Sequence, residues 1–332
     1  MKQQSAFLAP ESNIDYVYGK GRRQKVAERT CLVVPEPIEP KDFNDRIGEL
    51  ANVEILFSTW GIPTFTPQQV ESLPNLKAVF YAAGSVKHFA KPLLERGIIV
   101  VSAWRANAIA VAHFTLGQIL LSTKGFFRNI QEYDGSQSTY DSAFRGAGNY
   151  GSTIAVLGAG AIGRQVIELL RPFDANVIVY DPFMPPSLAL ALDVEQVSLE
   201  EAFARGYVIT NHLADNPETK GLITGKLLQS MPPNATFINT GRGKTVDPSG
   251  LFDLLNNRPD VTALLDVTDP EPPGTDSPLF HLPNAIVSSH IAGAINDEVL
   301  RMSDLCINEY DRYRTGQPLR HSVSIEALVC MA

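Results

Sequence analysis

Cysteine is scarce, with three in 332 residues: Cys31, Cys306 and Cys330. They stand far apart and without metal-ligand spacing. That excludes a disulfide-stapled scaffold and a cysteine-based metal centre, and it reads as reduced thiols. Positive charge is also short. The 28 Lys+Arg face 36 Asp+Glu, a net −8, which argues against nonspecific nucleic-acid binding and against docking on an acidic membrane. The densest basic run, Lys20-Gly21-Arg22-Arg23-Gln24-Lys25, is short and reads as the solvated face of a helix that continues through Glu28. No run approaches a membrane span, and Met1 to Pro10 is too poor in apolar residues for a secretory signal, so the expected location is cytoplasmic. With no extra segment after Ala332, feedback through an appended regulatory module is not expected.

What the chain does have is an ordinary folded composition, 44% hydrophobic and 19% charged, at a length that favours two domains over one. Strand-like and helix-like segments alternate along it, which points to an α/β protein of parallel sheets covered by helices. Thr153 to Leu157 reads as a strand and leads straight into Gly158-Ala159-Gly160-Ala161-Ile162-Gly163. A helix pattern, Ala161 to Leu170, follows. A second strand, Asn176 to Tyr180, ends at Asp181, eighteen residues past Gly163.

Each part has a task in gripping a dinucleotide. Gly158 permits a tight turn, Gly160 lets the backbone approach a pyrophosphate, and Gly163 allows the helix to pack closely on the strand. The first amides of the helix, at Ala161 and Ile162, face the phosphate charge. Asp181 stands where a carboxylate accepts from both hydroxyls of an adenosine ribose. Three glycines alone would be a weak signal. Strand, glycines, helix, strand and acid in this order specify a dinucleotide site. Asp181 favours NAD over NADP, because a 2′-phosphate would be repelled and Pro182-Phe183 supplies no compensating cation.

The fingerprint begins about 150 residues into the chain, so something else must form in front of it. Val53 to Ser58, Lys77 to Ala82 and Ile98 to Ser102 are short buried-strand patterns, followed by a helix candidate from Asn107 to Lys124. Asp134 to Gly151 reads as a loop. Further strands are expected at Tyr207 to Asn211, Thr236 to Thr240, Val261 to Asp266 and Ala285 to Ser288. A helix is expected to start at Asp247-Pro248, and a last one to run from Asn296 to Arg314. The expected layout is a discontinuous, flavodoxin-like substrate domain of residues 1–104 plus 301–332. A Rossmann domain of residues 105–300 is inserted in it, with the active site in the cleft between the two.

Three polar clusters fall at strand ends, where open parallel sheets place ligands. In Asn239-Thr240-Gly241-Arg242-Gly243, Arg242 could clamp a carboxylate with two parallel hydrogen bonds; a surface salt bridge is an equal reading. In Asp266-Val267-Thr268-Asp269-Pro270-Glu271-Pro272, Asp266 could accept from a nicotinamide amide and Glu271 could face a partner. Taken alone, an acidic, proline-rich surface loop would be the better reading. In Ser288-Ser289-His290-Ile291-Ala292-Gly293, His290 can exchange a proton near neutral pH, and an adjacent carboxylate would fix its tautomer. A lone histidine is more often structural. Together, downstream of a dinucleotide fingerprint, the three cover the needs of hydride transfer to a 2-keto acid: orient the carboxylate, protonate the carbonyl, tune the acid.

With these motifs in order, the chain resembles the D-isomer-specific 2-hydroxyacid dehydrogenases, the family of phosphoglycerate, glycerate and D-lactate dehydrogenases. Besides the glycine motif and the three clusters, His212-Leu213 and Pro217-Glu218-Thr219-Lys220-Gly221-Leu222-Ile223 are similar to the family's. The resemblance implies that Arg242 binds the substrate carboxylate and keto oxygen, that His290 is the acid/base, and that Glu271 is its partner. It places Asp181, His212, Thr240 and Asp266 against NAD, with Pro217, Gly241 and Gly293 in the same site. The substrate loop falls on Ala83, Gly84 and Ser85, and a homodimer through the NAD domains is implied, partly through the helix at Asn107 to Lys124. Departures lie at Ala82, Ser85-Val86-Lys87-His88, Trp104-Arg105, His113, Asp215-Asn216 and Gly241. None touches the catalytic trio, and the loop differences leave the substrate open; a second anionic group would suit Arg105. The same fold also occurs in NAD-responsive transcriptional corepressors, the alternative to an enzyme. Formate dehydrogenase is disfavoured because that relative generally has glutamine where Glu271 stands.

Overall fold

The computed structural model describes residues 2–330, which fall into two compact units. Unit 1 runs to Asn107 and resumes at Ala294, while unit 2 is Ala108–Gly293. Cys330 lies outside the residues whose side chains are described.

Unit 1 is built on five parallel strands: β1 (Gln4–Phe7), β2 (Cys31–Leu32), β3 (Ile55–Ser58), β4 (Ala78–Tyr81) and β5 (Ile99–Ser102). Their order, β2-β1-β3-β4-β5, is that of flavodoxin-like sheets. β3 and β4 are buried along their whole length, as strands covered on both faces must be. On one face Phe57 stacks on Phe80 at 5.5 Å, and Tyr310 meets both rings edge-on at 5.5 and 5.6 Å. Tyr310 belongs to the helix Leu300–Arg314, so the end of the chain completes the core begun by its first third. The basic run behaves as a solvated face. Arg22 pairs with Asp304 at 2.6 Å, Arg23 with Asp15 at 2.7 Å and Lys20 with Asp297 at 2.5 Å. Each such partly exposed pair is worth about 0–1 kcal/mol. The helix itself starts later than the run, at Arg22, because Gly21 stands at φ +83°.

The sequence placed the domain boundaries at 104/105 and 300/301, whereas the chain divides at 107/108 and 293/294. The larger displacement has a local cause. The Ala294 amide donates to Asn107 Oδ1 at 2.8 Å and the Asn296 amide to Tyr16 Oη at 2.5 Å, which holds the segment before Leu300 in unit 1.

Unit 2 is a seven-stranded parallel sheet of β6 (Thr153–Leu157), β7 (Asn176–Tyr180), β8 (Glu195–Gln196), β9 (Val208–Asn211), β10 (Thr236–Asn239), β11 (Thr262–Leu265) and β12 (Ala285–Val287). Its order, β12-β11-β10-β9-β6-β7-β8, is a doubly wound Rossmann sheet with one further strand. The direction of winding reverses between β6 and β9, where ligands bind in such sheets. Leu157 of β6 is in register with Tyr180 on one side and Asn211 on the other. The chain therefore leaves the sheet there in three adjacent loops. The helix Ala161–Leu170 buries Val166, Ile167 and Leu170 against the sheet.

Two sequence expectations need correction. The helix expected at Asn107 to Lys124 is Trp104–Thr123. It is also long and apolar enough by length and composition to cross a membrane, although no such run was expected. Half of that stretch is buried within the protein. The expected loop from Asp134 to Gly151 contains a short helix, Gln137–Ser142, started by the Ser136 hydroxyl, which accepts from the Thr139 amide.

Candidate active site

The glycine turn after β6 is shaped by contacts only glycine allows. Gly158 stands at φ +91°, and a Cβ there would lie 2.9 Å from the His212 carbonyl oxygen. A Cβ on Gly163 would lie 2.0 Å from the Gly158 carbonyl oxygen, so the helix sits directly on the turn. Gly160 differs, since a Cβ there would meet no protein atom within 4 Å. It borders open space over the N-terminus of a helix that no side chain caps. Ala161 and Ile162, half-exposed, begin that helix. This is the cradle a pyrophosphate requires.

Asp181, at the end of β7, holds the turn: its Oδ2 accepts from the Ala159 amide and its Oδ1 from the Phe183 amide, both at 2.8 Å. Each oxygen keeps a second lone pair for a ribose hydroxyl. Arg164, which the sequence reading did not single out, bends back to donate to the Ala159 carbonyl at 2.6 Å. It sets a cation beside the turn.

After β9, His212 is buried, and burial pushes its pKa down to about 3, so it is neutral. Its Nε2 lies 3.0 Å from Thr210 Oγ1 and its Nδ1 3.4 Å from Thr240 Oγ1. Two of the expected cofactor residues, His212 and Thr240, are thus brought together. Pro217 is exposed in a turn closed by Asn216 and Thr219, whose side chains each accept from the other's amide. Gly241 is buried, with space for a Cβ only 3.1 Å from the Asn211 carbonyl.

Arg242 is half-buried, and its Nη1 donates to the Gly241 carbonyl at 2.8 Å. The loop carrying it is pressed onto the next one, because a Cβ on Gly243 would stand 1.9 Å from the Thr268 carbonyl oxygen. Glu271 and His290 meet: Nδ1 of the imidazole lies 2.5 Å from Oε1 of the carboxylate, with both side chains part-exposed. His290 stands at φ +57°, a left-handed conformation costly for a residue with a Cβ and concentrated at functional sites.

Asp266 explains how that conformation is held. Only 2% exposed, it accepts from Ser288 Oγ at 2.6 Å, the Ile291 amide at 2.8 Å and the Ala292 amide at 2.9 Å. Three bonds from both sides of His290 converge on one carboxylate, and one lone-pair position remains. Ser288 is a member of this site that residue type alone did not reveal. Gly293 is the half-buried last residue of unit 2.

Ala83, Gly84 and Ser85 belong to unit 1, just beyond β4. Hydroxyls from neighbouring strands take the carbonyls of this loop: Thr59 binds that of Ala82 at 2.9 Å, and Ser102 those of Ala83 at 3.1 Å and Gly84 at 2.6 Å. With its carbonyls tied down, the loop is left to offer N–H groups. Nearby, the Arg105 guanidinium lies over the Trp104 ring at 5.0 Å. It makes no ion pair or side-chain hydrogen bond among the described residues.

A Rossmann sheet with a glycine cradle at its switch point and an acid after the second strand defines a dinucleotide-binding protein, and an imidazole–carboxylate pair stands in the same unit. Residues 116–292 match the family model described as D-isomer specific 2-hydroxyacid dehydrogenase, NAD binding domain. The chain belongs to that family, and its cofactor is a nicotinamide dinucleotide. It is 33% identical over 278 residues to D-3-phosphoglycerate dehydrogenase of Mycobacterium leprae, covering 81% of this chain and 52% of that one. Over 249 residues it is also 33% identical to the enzyme of the same name from Methanocaldococcus jannaschii, covering 74% and 46%. The chain spans about half the length of these curated relatives. Among solved structures, the apo form of Rhodotorula graminis D-mandelate dehydrogenase shares the fold, with a TM-score of 0.79 at 19% identity over 98% of each chain.

Proposed function

We propose that the protein is an NAD-dependent oxidoreductase that interconverts a 2-keto acid and a D-2-hydroxy acid. The observation that carries this reading is the 2.5 Å contact of His290 Nδ1 with Glu271 Oε1, in the same unit as the dinucleotide cradle and Arg242. With Nδ1 committed to the carboxylate, Nε2 is the nitrogen left to exchange a proton with a substrate oxygen. Glu271 stabilises the imidazolium. Arg242 offers a planar fork to the substrate carboxylate. The bound cofactor supplies or takes the hydride. In the reducing direction the proton leaves Nε2 for the carbonyl oxygen, and in the oxidising direction Nε2 takes it from the hydroxyl.

Asp181 supports NAD rather than NADP, because its carboxylate stands where a 2′-phosphate would bring further negative charge. A homodimer is supported by a run of exposed apolar side chains in unit 2 (Leu121, Phe126, Ile130, Tyr133 and Tyr140), which water alone would leave uncovered. The test of the function is turnover of a panel of 2-keto acids with NADH and with NADPH, for the wild type and for His290→Ala. Loss of turnover in the variant with NADH binding intact is expected. Wild-type turnover in His290→Ala would sink the assignment, and a preference for NADPH would sink the role of Asp181.

A further inference from the structure

Arg242 can serve a substrate only if its backbone stands in one place, and three polar side chains buried behind it hold that place. We propose that Asn211, Asn239 and Thr245 form an amide–hydroxyl clamp that positions Arg242 for the substrate carboxylate. They act through its backbone and never touch the substrate. The proposal rests on the function proposed above.

β9 and β10 run side by side with Asn211 in register against Asn239, and all three clamp residues are essentially inaccessible to solvent. Asn211 Nδ2 spends both protons, one on Asn239 Oδ1 at 3.0 Å and one on Thr245 Oγ1 at 2.8 Å. Its Oδ1 accepts from the Leu213 amide at 3.2 Å. Asn239 Oδ1 accepts a second bond, from the Gly241 amide at 3.1 Å, and its Nδ2 donates to the Arg242 carbonyl at 3.3 Å. Thr245 Oγ1 donates to that same carbonyl at 2.7 Å. The Gly241 amide and the Arg242 carbonyl, which bracket the arginine, are therefore both fixed from within. The guanidinium is folded onto the Gly241 carbonyl, so its direction follows that backbone.

Apolar side chains would fill these strand ends without desolvating polar groups. A buried amide pair is tolerable only when its bonds are made, and it then specifies one arrangement. Apart from the Asn211–Asn239 bond that joins the two strand ends, each bond of the network ends on the loops that carry His212–Leu213 or Arg242. The sheet's own ladder does not need them.

The test uses the full chain with NADH and a keto acid it turns over. Thr245→Val removes the hydroxyl at nearly constant volume, and Thr245→Ser keeps it. Asn211→Asp keeps the acceptor for Leu213 and loses both donors. We expect Thr245→Val and Asn211→Asp to raise the keto-acid KM about tenfold or more, as misplacement of a carboxylate clamp does. The NADH Kd stays within about twofold and the pH profile of kcat does not move, because neither His290 nor the cradle is displaced. Thr245→Ser behaves as wild type. In an Arg242→Met background Thr245→Val adds nothing, since its effect passes through Arg242.

A wild-type KM in Thr245→Val, an equal loss in Thr245→Ser, or additivity with Arg242→Met would overturn the clamp. If the wild type reduces no keto acid, the proposed function fails. The clamp is then decided by a crystal structure of Thr245→Val. An undisplaced Gly241–Arg242 backbone refutes it and a displaced one supports it.

Discussion

Two glycines of one motif, three residues apart, should fail in opposite ways when a methyl group is added. At Gly163 the added carbon would stand 2.0 Å from the Gly158 carbonyl oxygen and 3.3 Å from Val156 Cγ1. Non-bonded carbon contacts settle near roughly 3.5 Å, so the helix Ala161–Leu170 must retreat from β6 by on the order of 1.5 Å. Overpacking of this kind costs about 1–3 kcal/mol, against which alanine returns about 0.8–1 kcal/mol of helix propensity. At Gly160 the carbon would meet nothing, and φ −72°, ψ −158° is open to any L-residue. There the free protein should be unchanged or gain about 0.4–1 kcal/mol, because the unfolded chain loses freedom.

The order should invert for the cofactor, since the space beside Gly160 is the space a pyrophosphate needs. Urea unfolding without ligand, followed by circular dichroism, and NADH titration by fluorescence separate the two effects. Gly163→Ala should lower the unfolding midpoint clearly. Gly160→Ala should leave the midpoint in place and weaken NADH at least about tenfold, or about 1.4 kcal/mol. If Gly160→Ala binds NADH as the wild type does, the open space is not the phosphate site. If Gly163→Ala is as stable as the wild type, the close helix contact carries no load.

Further perturbations probe the rest of the site. His212, held neutral with a pKa pushed down to about 3, binds fewer protons folded than unfolded below about pH 6.5. Its contribution to stability is therefore complete at neutral pH and falls as the pH drops, by up to about 1.4 kcal/mol per pH unit. In urea midpoints measured from pH 7 to 4, His212→Gln should show a shallower acid decline than wild type; parallel curves would refute the burial argument. Asp266→Asn replaces one acceptor oxygen with an NH2 donor that faces donating groups, so one of the bonds from Ser288, Ile291 and Ala292 is lost or opposed. It should cost about 1–3 kcal/mol and reduce kcat through the loop of His290; normal kcat with normal unfolding would count against that support. Glu271→Gln leaves the imidazolium without its carboxylate, so kcat/KM for reduction should fall by about 10²-fold or more with NADH affinity preserved. A loss confined to NADH binding would place Glu271 elsewhere in the chemistry.

The sequence was most legible where one residue's type carries the message. β6, β7 and the helix Ala161–Leu170 stand where their apolar runs and glycines put them, whereas Arg242, Glu271 and His290 became candidates only as a set at successive strand ends. β2 and β8 were not legible, each being two residues long with little or no burial, too short for any period to declare itself. Nor was β1, whose pairing is decided by β2 and β3 on either side of it. Within the site, what stayed hidden is contact between residues far apart in the chain: Gly243 on Thr268, and Asp266 reaching forward to Ser288, Ile291 and Ala292.

Asp266 shows why such contacts escape. At the end of β11 its position suits a cofactor ligand, yet three of its four lone-pair positions serve the loop that holds His290 at φ +57°. An acidic residue at a strand end announces that something will be bound, not whether that something is a ligand or the chain itself. Here the backbone is bound first, and that is what lets a left-handed histidine stand 2.5 Å from Glu271. The His290–Glu271 contact is thus a product of its supports, and on the proposed function damage to Asp266 should reach the chemistry before it unfolds the domain.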